Sequence, residues 1–247
     1  MSGNPQLHDA FADLESRVVM TIGVVDVNDS TGMKEQQSES GWLPGLGWLY
    51  RTITDIILES IPDVVVKYTG DGAMFACDPD HTTAAVNAVI RIQEAIKGAG
   101  TRGDGAKGII DFTCSAALTT GEVRRFTTPN GTPDFVGSVV DKAFRLCAFA
   151  NAKAIFVDTA TVGAANAMNI KSVFGKAAVR QAGEYTGEVQ KAVLKGFAQP
   201  VAYQEILWDQ QLYAVASAAI TASTDRLRST PAVAPRQAAP AAAATTE

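Results

Sequence analysis

The segment from Val64 to Cys77 constrains the fold most. Two β-branched, aromatic or otherwise apolar runs, Val64-Val65-Val66-Lys67-Tyr68 and Ala73-Met74-Phe75-Ala76-Cys77, flank Gly70-Asp71-Gly72. Glycines supply the positive φ that a tight turn demands, so the pattern reads as a hairpin with a carboxylate at its tip. Upstream, residues 18–26 form another continuous apolar run, long enough for a buried strand, which ends in Asp26 followed by the turn formers Asn28, Asp29, Ser30 and Gly32. If the two strands are neighbours, Asp26 and Asp71 meet at one edge of a sheet. Either Asp alone is an ordinary turn residue. Together they repel unless a cation lies between them, and hard carboxylate oxygens suit Mg²⁺ or Mn²⁺ held with substrate phosphates. The pair therefore reads as a two-metal phosphoryl-transfer site with two ions.

The remaining periodicities arrange strands and helices around this pair. Leu49, Ile53, Ile56, Ile57 and Ile61 follow a helical period that stops before Pro62, whereas the stretch from Lys34 to Ser40 reads as irregular. A second helix is expected from Asp80, as N-cap, to Lys97, with Gly98 ending it and a glycine-rich loop following. Ile109 to Phe126 reads as strand, Gly137 to Ala150 as helix and Ala154 to Val157 as a buried strand. Val173-Phe174, Ala192 to Phe197 and Val201 to Leu207 read as closing strands, and Trp208 to Leu227 as a final helix. Residues 1–16 are a lead-in, residues 17–228 the catalytic domain, and residues 229–247, rich in Ala and Pro, a disordered tail that cannot bury enough surface to offset its ordering entropy.

Charge and cysteine usage narrow the function. A net charge of -5 argues against a nucleic-acid surface, which carries a basic excess. The three cysteines, Cys77, Cys114 and Cys147, stand singly in apolar stretches, and there are only two histidines, His8 and His81, so a zinc site is not expected and the pattern is that of a reduced, cytoplasmic protein. No apolar run reaches the roughly 18 residues of a membrane span, and the N-terminus lacks the regions of a signal peptide.

At four places, in order from about Val18 to Tyr203, the chain resembles the class III nucleotidyl cyclases. Gly23-Val24-Val25-Asp26-Val27-Asn28-Asp29-Ser30-Thr31 resembles the first metal motif, and Lys67-Tyr68-Thr69-Gly70-Asp71 the second. The run from Asp134 to Arg145 resembles the helix-opening motif, and Lys195-Gly196 the triphosphate lysine. Two departures stand out: Asp29-Ser30 replaces the usual Gly-Phe, and Asp141 the usual ribose-contacting Asn. The compact Gly-Asp-Gly turn and short first motif are most similar to the bacterial pyrimidine cyclases of the Pycsar antiphage system.

The resemblance implies a ferredoxin-like α/β (α+β) domain, a mainly antiparallel sheet flanked by helices on one face. It implies that Asp26, the Val27 carbonyl and Asp71 hold two Mg²⁺ or Mn²⁺ ions. Asn28, Ser30, Thr31 and Lys195 would bind phosphates, Lys67 and Asp134 read the base, Asp141 orient the ribose and Arg145 meet transition-state charge. Lys67 and Asp134 together accept uracil, adenine or cytosine, so selection falls to pocket size. Tyr50, backed by Trp48 and Phe144, is the candidate to fill the space of a missing purine ring. The implied partners are a second copy of the chain, in a homodimer with shared sites, and a separate cyclic-nucleotide effector. The implied reaction is UTP to cyclic UMP in antiphage defence. An adenylate cyclase and a degenerate nucleotide-binding regulator remain as alternatives, while the turn required by a diguanylate cyclase is not present.

Overall fold

The computed structural model describes residues 16–100, 110–165 and 186–209. The lead-in before Ser16, the glycine-rich loop, the strand expected at Val173-Phe174, and the last helix and tail beyond Asp209 lie outside the described residues.

The first half forms β1 (Arg17–Val27), α1 (Ser30–Gln36), α2 (Glu39–Ser60), β2 (Val65–Tyr68), β3 (Gly72–Cys77), α3 (Thr82–Gly100) and β4 (Cys114–Thr127). These strands lie in the order β2-β3-β1-β4, antiparallel throughout, which is the ferredoxin-like βαββαβ arrangement. The sheet continues with β6 (Ile155–Asp158), parallel to β4, then β8 (Val201–Glu205) and β7 (Gln190–Ala192), while β5 (Pro133–Val136) folds back on the distal end of β4. Between β5 and β6 runs α4 (Ser138–Phe149), and α5 (Thr159–Ala164) follows β6.

β1 is apolar without alternation because both of its faces are covered. Val25 and Val27 point into a core with Leu49, Ile53 and Ile57 of α2 and Val89, Ile92 and Ile96 of α3. Ile22 and Val24 point the other way, against Val139, Val140, Ala143 and Leu146 of α4. The expectation of helices on one face is thus corrected: the apolar stripe of α4 is a second sheet-covering surface. Across the β1–β3 ladder Gly23 faces Phe75, whose ring lies where a Gly23 Cβ would be, 2.1 Å from the nearest ring atom.

Local expectations shift in three places. The irregular stretch from Lys34 to Ser40 is instead the end of α1 and the start of α2, and α2 begins ten residues before Leu49 with Pro44 inside it. Proline is tolerated there because the bond it forfeits belongs to Ser40, which is exposed, so that carbonyl reaches water. Gly45 is buried against Ile110 and Phe112, a close approach that leaves no room for a larger side chain. Asp80 is not the cap of α3: Asp78 accepts from the Asp80 N–H at 2.9 Å and opens a 3₁₀ turn, Pro79–His81, that leads into the helix. Of the run Ala192 to Phe197 only Ala192 is strand. The rest turns at Leu194-Lys195-Gly196-Phe197, closed by the Phe197 N–H on the Leu194 carbonyl at 3.1 Å with Gly196 at φ 91°.

Candidate active site

Strand register puts Asp26, the next-to-last residue of β1, between Gly72 of β3 and Ser115 of β4. Asp71 is the residue before Gly72, so the two carboxylates come together at the end of β1 as the hairpin reading expects. Gly72 is required by this closeness: a Cβ there would sit 2.4 Å from the Val25 carbonyl oxygen and 2.5 Å from Asp26 Oδ1. Gly70, at φ 83°, supplies the left-handed backbone of the turn.

The electrostatics follow from the packing. Burial, and then the charge of Asp71, push the Asp26 carboxyl up to about 6 from 3.8, against the opposing pull of Lys34. A carboxylate pair held against its own repulsion, with one lysine nearby, fits a hard divalent cation. Among the described residues no third His, Cys, Asp or Glu joins them. That fits Mg²⁺ or Mn²⁺, which take one or two protein carboxylates and fill the remaining positions with substrate oxygens and water.

Around the pair lie the residues expected to bind phosphates. The Asn28 N–H is committed to the Thr113 carbonyl at 2.8 Å, and its side chain donates to Ser115 Oγ at 3.2 Å and accepts from Thr113 Oγ1 at 3.3 Å. Asn28 therefore ties β1 to β4 through both its backbone N–H and its side-chain amide. Ser30 and Thr31 open α1, with Asp29 before them in the left-handed region. Val27 is buried and pairs with Cys114.

Tyr50, on α2, donates its hydroxyl to the Gly70 carbonyl and stacks on Tyr68 with ring centroids 4.4 Å apart. Burial, and then the negative charge of Asp71, raises the Tyr50 hydroxyl above its ordinary value. Tyr50 therefore belongs to the turn that carries Asp71. Trp48 packs against the same core as Tyr50, whereas Phe144 packs in the opposite core beneath α4. Lys67 and Asp134 form an ion pair, each about a quarter exposed, and Asp134 Oδ1 also accepts from the Phe135 N–H at 2.7 Å. Because strand residues alternate, Lys67 faces away from Tyr68 and shares its face with Met74.

Asp141 and Arg145 lie one turn apart on the exposed side of α4. Lys195 is exposed in the turn after β7, at the sheet edge opposite β2. The structure thus brings together Asp26, Asp71 and Tyr50, pairs Lys67 with Asp134, sets Asp141 beside Arg145, and leaves Lys195 apart. Sequence reasoning missed Lys34, whose helix it read as irregular, and Tyr68, whose stacking on Tyr50 depends on the packing of α2. The three cysteines are buried, and burial pushes the Cys77 and Cys147 thiols up to about 12, so they are inert packing groups.

No family model matches the chain, and no curated protein matches it in sequence. Solved structures do. The guanylyl cyclase Cya2 aligns at 18% identity over 77% of this chain and 92% of that one, with TM-score 0.58. The adenylyl cyclase CyaB from P. aeruginosa aligns at 17% over 79% and 97%, with TM-score 0.59. The catalytic core of a rhodopsin-guanylyl cyclase with converted specificity, in complex with ATPαS, aligns at 21% over 77% and 97%, with TM-score 0.55. With its mainly antiparallel sheet and helices on both faces, the chain has the fold of the class III adenylyl and guanylyl cyclase domains.

Proposed function

We propose that the protein is a nucleotidyl cyclase, acting as a homodimer with Mg²⁺ or Mn²⁺, that converts UTP to cyclic UMP and pyrophosphate. The observation that carries the reading is the meeting of Asp26 and Asp71 at the end of β1, on a fold shared with cyclase domains. In this reading Asp26, Asp71 and the Val27 carbonyl hold two divalent ions, which supply charge neutralisation and a more acidic ribose 3′-hydroxyl. The chain's own groups do the positioning. Ser30, Thr31 and Lys195 bind the phosphates, Lys67 and Asp134 open their ion pair to receive the base edge, Asp141 orients the ribose, and Arg145 meets charge on the α-phosphate. The exposure of Asp141, Arg145 and Lys195 supports a site completed by a second protomer. Tyr50 stands with the metal carboxylates, so in a shared site it faces the base held by the other protomer's Lys67 and Asp134.

Uracil is the preferred base because a tyrosine beside the turn leaves less room for a purine. The product would act as a second messenger for a separate effector in antiphage defence, a role that rests on the resemblance of the motifs to the pyrimidine cyclases. A purine substrate is the second reading, favoured by the neighbours themselves, one of which is an adenylyl cyclase and another a cyclase whose specificity was converted.

The test is incubation of the purified protein with ATP, GTP, CTP and UTP in turn with Mn²⁺, products being identified by mass. Cyclic UMP in excess, lost in Asp71→Asn, is the expected result. Cyclic AMP or cyclic GMP alone would replace the base assignment and the size argument for Tyr50. No cyclic product from a dimeric protein overturns the cyclase reading.

A further inference from the structure

A chain of buried polar groups runs through the molecule without touching any residue assigned above. Thr82 Oγ1, at the start of α3, meets Thr21 Oγ1 of β1 at 2.7 Å, and Thr21 meets Thr120 Oγ1 of β4 at 2.9 Å. Thr120 meets Thr161 Oγ1 of α5 at 3.0 Å, and Thr161 donates through its hydroxyl and its N–H to Asp158 Oδ1 at 2.7 and 2.9 Å. Asp158 is only 2% exposed and takes a further bond from the Thr120 N–H at 3.3 Å. Its other oxygen, Oδ2, accepts from Lys142 Nζ at 2.6 Å. Apolar groups of the same shape would fill such a core at no electrostatic cost, since desolvating an ion pair often offsets its attraction. What the chain does provide is a fixed geometry, because every acceptor on Asp158 is assigned and a lysine elsewhere leaves that carboxylate buried and unpaired.

Lys142 is the residue after Asp141 and three before Arg145 on α4. The rest of the inner face of α4 is apolar, apart from Cys147, whose thiol donates to the Ser115 carbonyl at 3.5 Å. Among the described residues, the α4 backbone accepts from Thr119 Oγ1 on the Val139 carbonyl at 2.8 Å and from Ser115 Oγ on the Cys147 carbonyl at 3.1 Å. Lys142 ties the turn bearing Asp141 and Arg145 to a buried carboxylate of β6. We infer that the Lys142–Asp158 ion pair is a positioning device for catalysis, holding α4 in the rotation that presents Asp141 and Arg145 to substrate. The catalytic half of this inference rests on the cyclase reading; the anchoring of α4 does not.

Asp158 is also the N-cap of α5, accepting from the Thr161 N–H, and Asp158→Asn separates the ion pair from that cap. The amide oxygen still accepts from Thr161 and Thr120, while its NH₂ would face the lysine ammonium, donor against donor. Lys142→Met removes the charge from the other side. Each variant, as full-length dimer, is assayed for kcat and KM with Mn²⁺ and for amide hydrogen exchange. Both single variants are expected to lose about 10- to 100-fold in kcat, as displaced positioning groups do, with KM little changed. Exchange should rise over residues 138–149 and not in β1 or α3. The double variant should lose no more than either single one, since the two residues act as one unit.

A folded Lys142→Met dimer with wild-type kcat and unchanged exchange over α4 overturns the inference. So does a loss of kcat that only tracks the fraction of unfolded protein, or an additive double variant. A wild-type protein that cyclises no nucleotide sinks the cyclase reading and the catalytic half with it. In that outcome unchanged exchange over α4 in Lys142→Met sinks the anchoring as well, and raised exchange upholds it.

Discussion

At the turn that carries Asp71, two glycines do different work. Gly70 needs its positive φ but has open space around it, so Gly70→Ala should cost about 1–2 kcal/mol of backbone strain and leave the carboxylates in place. Gly72→Ala must displace the Val25 carbonyl or the Asp26 carboxylate, and should cost about 1–3 kcal/mol and abolish activity together. Urea melts combined with the nucleotide assay separate the two effects. Asp26 makes a second expectation. Its folded value of about 6 lies above the 3.8 of an unperturbed Asp, so the folded state holds the proton more tightly. Its contribution to stability is full below pH 3.8 and is lost as pH rises through about 6. In metal-free protein the melting temperature should carry a downward slope over that window that Asp26→Asn removes. Added Mn²⁺ should raise the melting temperature at pH 7.5 more than at pH 5, where the carboxyl is still protonated. A slope unchanged in Asp26→Asn would show that other groups titrate there.

The helices and strands divide into those whose pattern is local and those whose boundaries depend on neighbours. The stripe Leu49, Ile53 and Ile57 is fully buried and was readable as a helical period, whereas Leu58 on the same helix is 59% exposed. Ile53→Ala should cost about 2–5 kcal/mol and Leu58→Ala less than about 0.5 kcal/mol, as read from chemical denaturation. Equal costs would mean that α2 packs on a different face. The start of α2 was not readable, because Pro44 and the three glycines Gly41, Gly45 and Gly47 interrupt the helical pattern ahead of Leu49. What settles it is the close seat of Gly45 on Ile110 and Phe112, residues about 65 positions away. Asp78, not Asp80, caps the turn before α3, a choice between two nearby acidic residues that local sequence does not distinguish.

For the whole molecule, the separation of the site groups carries the strongest test. Asp26 and Asp71 form one cluster, and Asp141 and Arg145 another on the exposed side of α4. If the proposed homodimer shares its sites, Asp26→Asn and Arg145→Ala are each inactive alone. Mixed and allowed to exchange subunits, they should recover about a quarter of wild-type activity, since half of the dimers are mixed and each has one intact site. No recovery in a mixture shown to exchange would mean that each chain supplies a complete site.

The sequence by itself determined the hairpin with Asp71 at its tip, the buried strand ending at Asp26 and the principal helical stripes. Each of these is written in residues adjacent in the chain, where glycine φ, β-branching and the 3.6-residue period act locally. Only the tertiary structure decided that α4 covers the second face of the sheet, that Tyr50 docks on the Gly70 carbonyl and that Asn28 spends its amide on Thr113. It alone also joined Lys142 to Asp158. Those contacts link elements far apart in sequence, and they form because strand order and helix packing bring together groups that share no local pattern.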